Sequence, residues 1–206
     1  MQVRLQNIGK SYQNHSVFKG VDLDLDPGYK GVILGGNGSG KSTLLKVISS
    51  ATVPTTGKVD YIRNGQSLPD EDRYRYVSYC APYIDLIDDM SVCELVAFQS
   101  TFKTLKNNLT AQSLVDLLYL GKFANKPIKT YSSGMKQRVK LALAICADTP
   151  ILLLDEPTSN LDQKGIAWYK QLVRDYSDER IILVASNSLT DEYQFTTTQI
   201  SIEKYK

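Results

Sequence analysis

Apolar and polar residues alternate through Val21, Leu23 and Leu25, with Asp22, Asp24 and Asp26 between them. A period of two predicts a half-exposed strand, closed by the turn pair Pro27-Gly28. Val32-Ile33-Leu34, Ile151–Leu154 and Ile181–Ala185 are instead continuous apolar runs. Short runs of this kind suit parallel strands covered on both faces. Glycines follow the first run, and a helical pattern begins near Lys41. Asp162 is placed to cap a helix reaching toward Tyr176.

The middle of the chain carries a different pattern. Ser91-Val92-Cys93-Glu94 matches a capping box, in which Ser and Glu satisfy each other's orphan amides. Thr110 is placed to cap a second helix that stops at Gly121. Val139, Ala142, Leu143 and Cys146 follow the i, i+3, i+4, i+7 spacing of a third. The pattern therefore predicts an α/β core over residues 1–80 and 148–206, interrupted by a mainly helical subdomain over residues 81–147.

Composition narrows the function classes. The chain has 206 residues, 42% of them hydrophobic, and a formal net charge of +2. At roughly 100–150 residues per domain this reads as one domain with a subdomain. Nucleic-acid binders present a basic stripe. The densest basic stretch here, Lys136 to Lys140, falls inside an apolar-faced helix pattern and reads as a solvated helix face, so no nucleic-acid partner is expected. The three cysteines, Cys80, Cys93 and Cys146, make no CxxC pair and no ligand spacing with His15, the one histidine. That predicts a reducing compartment. The N-terminus MQVRLQNIGK has no apolar signal core. The longest apolar runs, Leu141–Ala147 and Ile151–Leu154, are far below the roughly 20 residues that cross a bilayer. A cytoplasmic chain is expected; if it serves transport, it does not form the pathway.

Gly35-Gly36-Asn37-Gly38-Ser39-Gly40-Lys41-Ser42 satisfies G-x-x-x-x-G-K-[ST], between the Val32–Leu34 strand and the helix pattern of Thr43–Ile48. Glycines let the backbone curl until several N–H groups converge on one anion. The helix that follows adds the positive end of its dipole. Lys41 supplies a full charge for terminal phosphates, and the Ser42 hydroxyl is a hard oxygen suited to Mg²⁺. At ordinary residue usage, a chance match in a chain of this length has odds of about 1%, so the loop reads as a phosphate site.

The Ile151–Leu154 run ends in Asp155-Glu156. Neighbouring side chains diverge along a strand, so the two acids serve different jobs. Asp155 suits Mg²⁺, directly or through its water. Glu156 can take a proton from an attacking water. Loop and acids together point to nucleotide hydrolysis.

Tyr131-Ser132-Ser133-Gly134-Met135-Lys136-Gln137-Arg138, shortly before Asp155-Glu156-Pro157-Thr158, resembles the LSGGQ-x-x-R signature of the ATP-binding-cassette (ABC) ATPases. Ser159-Asn160-Leu161-Asp162 resembles their D-loop. Lys10-Ser11-Tyr12, followed by Val17-Phe18-x-Gly20-Val21, resembles the segment whose aromatic residue stacks on adenine. The resemblance covers essentially the whole chain. It implies a P-loop NTPase core with a mainly parallel sheet, an antiparallel N-terminal β part and an inserted helical subdomain. It further implies ATP and Mg²⁺, with Tyr12 on the base and Gly35, Gly36, Asn37, Gly38, Ser39, Gly40, Lys41, Ser42 and Thr43 on the phosphates. Ser42 and Asp155 would hold the metal, and Glu156 would be the base. Ser132, Ser133 and Gly134 would complete the site of the opposite subunit, in a homodimer or heterodimer. Ser132 also suits the cap of the helix through Cys146, and that helix start is a second anion site.

The pattern departs from the family in three places. The family's glutamine after the strand around Tyr76-Val77-Ser78 is missing, since no glutamine lies between Gln66 and Gln99. Tyr79, Ala81 or Pro82 stands there, depending on the anchor. Asn187 takes the place of the family's histidine after Ile181–Val184. Asparagine can donate to a phosphate oxygen but cannot shuttle a proton near neutral pH. Ser133 and Met135 alter the signature. Slow or partner-dependent hydrolysis is expected. The leading expectation is the motor subunit of a transporter, peripheral on the cytoplasmic membrane face, with a separate transmembrane permease docking near Tyr83–Met90. The alternatives are a soluble, non-transport ABC ATPase and an ATP-sensing module with weak hydrolysis.

Overall fold

The computed structural model describes every residue except Asn14. It divides into two compact units: residues 1–79, 150–156 and 179–206 form the first, and residues 80–149 and 157–178 the second.

In the first unit, β1 (Gln2–Tyr12) lies between β2 (His15–Leu25) and β4 (Thr56–Arg63), antiparallel to both, and β5 (Gln66–Ser67) closes that sheet. The strand expected at Val21–Leu25 therefore starts earlier, at His15. Alternation is not visible before Val21 because the β1–β2 register shifts between Leu5 and Ile8 and again around Lys10. Each bulge resets which face a side chain meets.

A second sheet has the order β6 (Val77–Cys80), β7 (Ile151–Asp155), β8 (Ile181–Ser186), β3 (Lys30–Leu34), β9 (Thr198–Ser201). β3 pairs parallel with β8 and β9, and β7 parallel with β8. Every residue of β7 and β8 is buried, which is why these strands read as unbroken apolar runs. α1 (Lys41–Ile48) turns Leu44, Leu45, Val47 and Ile48 into one apolar cluster with Val3, Ile8 and Phe18 of the first sheet and Ile33, Leu153 and Leu183 of the second.

Tyr61 of β4 is buried in this cluster and donates its hydroxyl to the Ile48 carbonyl at the end of α1, at 2.6 Å. The last carbonyls of a helix have no partner within it. Tyr61→Phe orphans one of them and is expected to lower stability by about 1–3 kcal/mol. Urea denaturation checks this, and an unchanged midpoint would contradict it.

The second unit is helical. In α2 (Val92–Ser100) the capping box forms as expected: Ser91 Oγ accepts from the Glu94 N–H at 3.3 Å, and Glu94 Oε2 accepts from the Ser91 N–H at 2.8 Å. Thr110 caps α3 (Ala111–Leu117). That helix ends at Leu117, short of the expected Gly121, because Tyr119 adopts a left-handed φ of 56°. α4 (Ser133–Ile145) packs on α5 (Gln163–Tyr176), whose cap is Asp162 as expected. The sequence division placed residues 157–178 with the core; in the structure this segment, with α5, groups with the helices.

Candidate functional site

The phosphate loop connects β3 to α1 and takes its shape from glycine. Gly40 has φ 105°, and a β-carbon there would come within 2.6 Å of Val17 Cγ1. A β-carbon on Gly35 would meet Ser39 Oγ and Ile202 Cγ2, both at 2.6 Å. The inner curve is thus closed to side chains. Gly36, Asn37 and Gly38 form an exposed crest, and β-carbons on Gly36 and Gly38 would meet nothing within 4 Å. The Ser39 N–H donates to the Gly36 carbonyl at 3.2 Å and holds the curl. Ser42 and Thr43 sit half-buried in the first turn of α1, which carries no acidic residue. An anion at this helix start meets backbone N–H groups without like-charge repulsion from that turn.

Lys41 is buried, and its ammonium donates to the carbonyls of Gly35 and Gly36, each at 2.9 Å, and to Asn187 Oδ1 at 2.6 Å. Asn187 Nδ2 donates in turn to Glu156 Oε1 at 2.8 Å. An ammonium can only donate and a carboxylate only accept, so the amide has one orientation that serves both. Asn187 follows β8 directly, where the sequence placed it. The next turn is tied down by Ser186 Oγ, which donates to Glu192 and accepts from the Leu189 N–H.

The two acids part as expected, though through a backbone turn. Asp155 ends β7 with 1% of its surface exposed. Glu156 adopts φ 43°, and its N–H still donates to the Ala185 carbonyl at 2.9 Å. The backbone continues the β7–β8 ladder for one more bond while the half-buried side chain swings toward Asn187. A left-handed φ at a non-glycine residue costs about 1 kcal/mol or more and clusters at functional sites.

Tyr12 ends β1, half exposed, with Lys10 Nζ 4.8 Å from its ring centre. Tyr12 pairs with His15, and Val17 and Phe18 further along β2 pack against Gly40. The hairpin end bearing Tyr12 is therefore anchored to the phosphate loop. Among residues the sequence had not singled out, buried Ile202, in the turn after β9, packs on the loop: a β-carbon on Gly35 would meet its Cγ2. A gap of over 160 positions hides that proximity in the sequence.

In the helical unit, Ser132 caps α4, accepting from the Met135 N–H at 3.3 Å. Ser132 and Ser133 are exposed at the helix start. A β-carbon on Gly134 would lie 3.0 Å from the Asn160 carbonyl, so the signature and the segment resembling the D-loop lie against each other. Buried Gln137 donates to the Pro157 carbonyl at 3.0 Å. The basic stretch of α4 is only partly a solvated face. Lys136 pairs with Asp88 at 2.7 Å, and Lys140 donates to the Pro82 carbonyl at 2.9 Å. Asp89 pairs with Lys129. Two acids of the expected docking segment therefore hold the segment's own unit together, while Tyr83 and Ile87 remain exposed.

Tyr79 lies within β6 and packs against the apolar cluster. The residues that follow the strand are Ala81 and Pro82, and neither has a polar side chain to replace the missing amide.

A family model described as "ABC transporter" matches residues 18–159. The chain belongs to the ATP-binding-cassette family of ABC transporters. It is 29% identical over 198 residues to an uncharacterized ABC transporter ATP-binding protein of Bacillus subtilis, which covers 95% of this chain and 64% of that protein. It is 32% identical over 174 residues to the lipoprotein-releasing system ATP-binding protein of Nitratidesulfovibrio vulgaris, covering 78% and 74%. Among solved structures, a dimeric, post-hydrolysis ATP-binding cassette bound to ADP and Pi superposes with a TM-score of 0.78 at 27% identity, covering 92% of this chain and 90% of that one.

The donors of this cassette fit a nucleotide-bound Mg²⁺. Among the described residues no group of three or more His, Cys, Asp or Glu could cage a metal. Mg²⁺ is commonly held by one or two carboxylates with substrate phosphates and water, a role open to Ser42 and Asp155. No helix of the described residues is long and apolar enough to cross a membrane.

Proposed function

We propose that this cassette binds Mg-ATP, pairs across it with a second cassette, and drives a separate membrane permease from the cytoplasmic face. The chain from Lys41 through Asn187 to Glu156 carries the reading, because it links the phosphate-binding cation to a base by one oriented amide. Lys41 stands where it can exchange an acceptor for terminal phosphate oxygens. Glu156, aimed by Asn187, accepts the proton of the attacking water. The Ser132 helix start offers N–H groups to the terminal phosphate held by the partner cassette, much as a finger supplied in trans does. When bound, Mg²⁺ neutralises phosphate charge, and Ser42 and Asp155 would hold it.

Turnover by the isolated cassette is expected to be slow, because an asparagine cannot carry a proton and neither Ala81 nor Pro82 can orient water. Asn187→Ala removes the link between Lys41 and Glu156, and is expected to reduce turnover a further tenfold or so with little change in ATP affinity. Asn187→His is expected to raise turnover and add a pH dependence near the ordinary histidine value of about 6.5. A steady-state pH profile of the three proteins checks both; identical profiles would remove Asn187 from the chemistry.

The same two positions favour a second reading, an ATP-sensing module with weak hydrolysis. One purification separates the two. The tagged cassette is extracted from native membranes in mild detergent and assayed for ATPase activity. The motor reading expects a polytopic membrane protein in the complex and faster turnover than the cassette alone. Recovery without such a partner, or a complex with no faster turnover, would refute it.

A further inference from the structure

Asn187 bonds two groups at once, and the turn that carries it is held by a buried acid with no part in the reading above. Ser186 ends β8 and pairs with Leu34, which ends β3. The next residue is Asn187 on one strand and Gly35 of the phosphate loop on the other. Ser188 then adopts φ 71°, a left-handed conformation that a serine keeps only where its surroundings over-determine it. Apolar burial does not supply that restraint, since Leu189 is 58% exposed. Hydrogen bonds do. The Ser186 hydroxyl accepts from the Leu189 N–H at 3.2 Å and donates to Glu192 Oε2 at 2.5 Å. The Leu189 carbonyl accepts from the Glu192 N–H at 2.9 Å. Glu192 therefore holds the turn at both ends, Ser186 through its carboxylate and Leu189 through its backbone. Ser186 is fully buried and Glu192 is 1% exposed, so water has little access to replace either partner. A serine hydroxyl has one proton. Committing it to Glu192 fixes the rotor, and the oxygen's lone pairs are left facing the Leu189 N–H.

We propose that Glu192 is a positioning residue for hydrolysis: through the Ser186 hydroxyl it fixes the turn that bears Asn187, and so keeps the Asn187 amide between Lys41 and Glu156. The proposal rests on the reading of that amide as part of the chemistry. The amide meets Lys41 at 2.6 Å and Glu156 at 2.8 Å. A turn that relaxes at Ser188 shifts the backbone beside Asn187, and one short amide cannot then reach both partners. Misplacement by about 1 Å can cost about 10²-fold in rate. A smaller loss is expected here, because Lys41 and Glu156 still attract the amide from either end.

Glu192→Ala and Ser186→Ala are each expected to lower single-turnover hydrolysis by about three- to tenfold, while the Kd for Mg-ATP stays within about twofold. Both substitutions are also placed on Asn187→Ala. With the amide gone there is nothing left to aim, so in that background either one is expected to change the rate by less than about 1.5-fold. Single-turnover rates at saturating protein and calorimetric titration with Mg-ATP measure the whole cycle. Glu192→Ala opens a cavity; should that chain fail to bind ATP, Ser186→Ala, which removes one oxygen, decides the matter alone. A Ser186→Ala protein with parental turnover overturns the proposal, and so does a loss of the same factor with and without the Asn187 amide, which marks a merely structural tie. In both cases the functional reading stands. Asn187→Ala with parental turnover removes the amide from the chemistry, and this proposal with it.

Discussion

Replacing Glu156 by Gln is expected to lower ATP turnover by about 10²–10⁴-fold, the usual worth of a positioned general base, while ATP affinity stays within about threefold of the parent. A glutamine keeps the shape of the side chain and an oxygen that can still accept from Asn187 Nδ2, the bond now made by Glu156 Oε1 at 2.8 Å. It cannot take a proton. The left-handed backbone at residue 156 is held by the bond to the Ala185 carbonyl and is independent of the side chain's charge. The expected variant therefore folds, binds and stalls with ATP in place. Single-turnover hydrolysis and nucleotide retention after gel filtration check this. Turnover at the parent rate would show that another group is the base.

Lys41→Ala is expected to weaken ATP binding by about 100-fold or more, the loss of two charge-assisted hydrogen bonds to phosphate oxygens. The lysine now spends its three donors on the Gly35 and Gly36 carbonyls and on Asn187. The Gly36 end of that loop is exposed, so water can replace the ammonium there. A shift in melting temperature of only a few degrees is expected for the nucleotide-free protein. Titration with ATP reads the affinity, and retained affinity would mean the loop binds by backbone N–H groups alone.

Much of this was legible because the signals are local. The buried parallel strands announce themselves as apolar runs at Ile151–Leu154 and Ile181–Ala185, and the caps at Ser91, Ser132 and Asp162 each act within three residues. The phosphate loop is a contiguous string, in which φ is positive at Gly38 and Gly40 and a β-carbon on Gly35 would strike Ser39 of the same motif. What was hidden is non-local. The β1–β2 bulges erased the alternation that would have extended β2 back to His15. Tyr119, an ordinary residue to any propensity scale, ended α3 early by turning left-handed. The pairing of Lys136 with Asp88 spans 48 positions, so the basic stretch read as a solvated face. Ile202 reaches the loop only through the parallel register of β9 on β3.

The site residues now divide between two units. The loop, the acids, Asn187 and Tyr12 belong to the sheet-bearing unit, and Ser132, Ser133 and Gly134 to the helical one. A pairing in trans is most directly tested by complementation in the Glu156→Gln background. One chain carries Lys41→Ala, which empties its loop. The other carries Ser133→Glu, an acid at an exposed first-turn position that suits the α4 dipole but repels a facing phosphate. Each alone is expected to stay monomeric and retain no ATP. Mixed, they assemble one intact site, from the second chain's loop and the first chain's signature, so ATP-dependent dimers holding one nucleotide per pair are expected by light scattering and nucleotide count. A mixture as inert as its components would contradict a site shared between two copies.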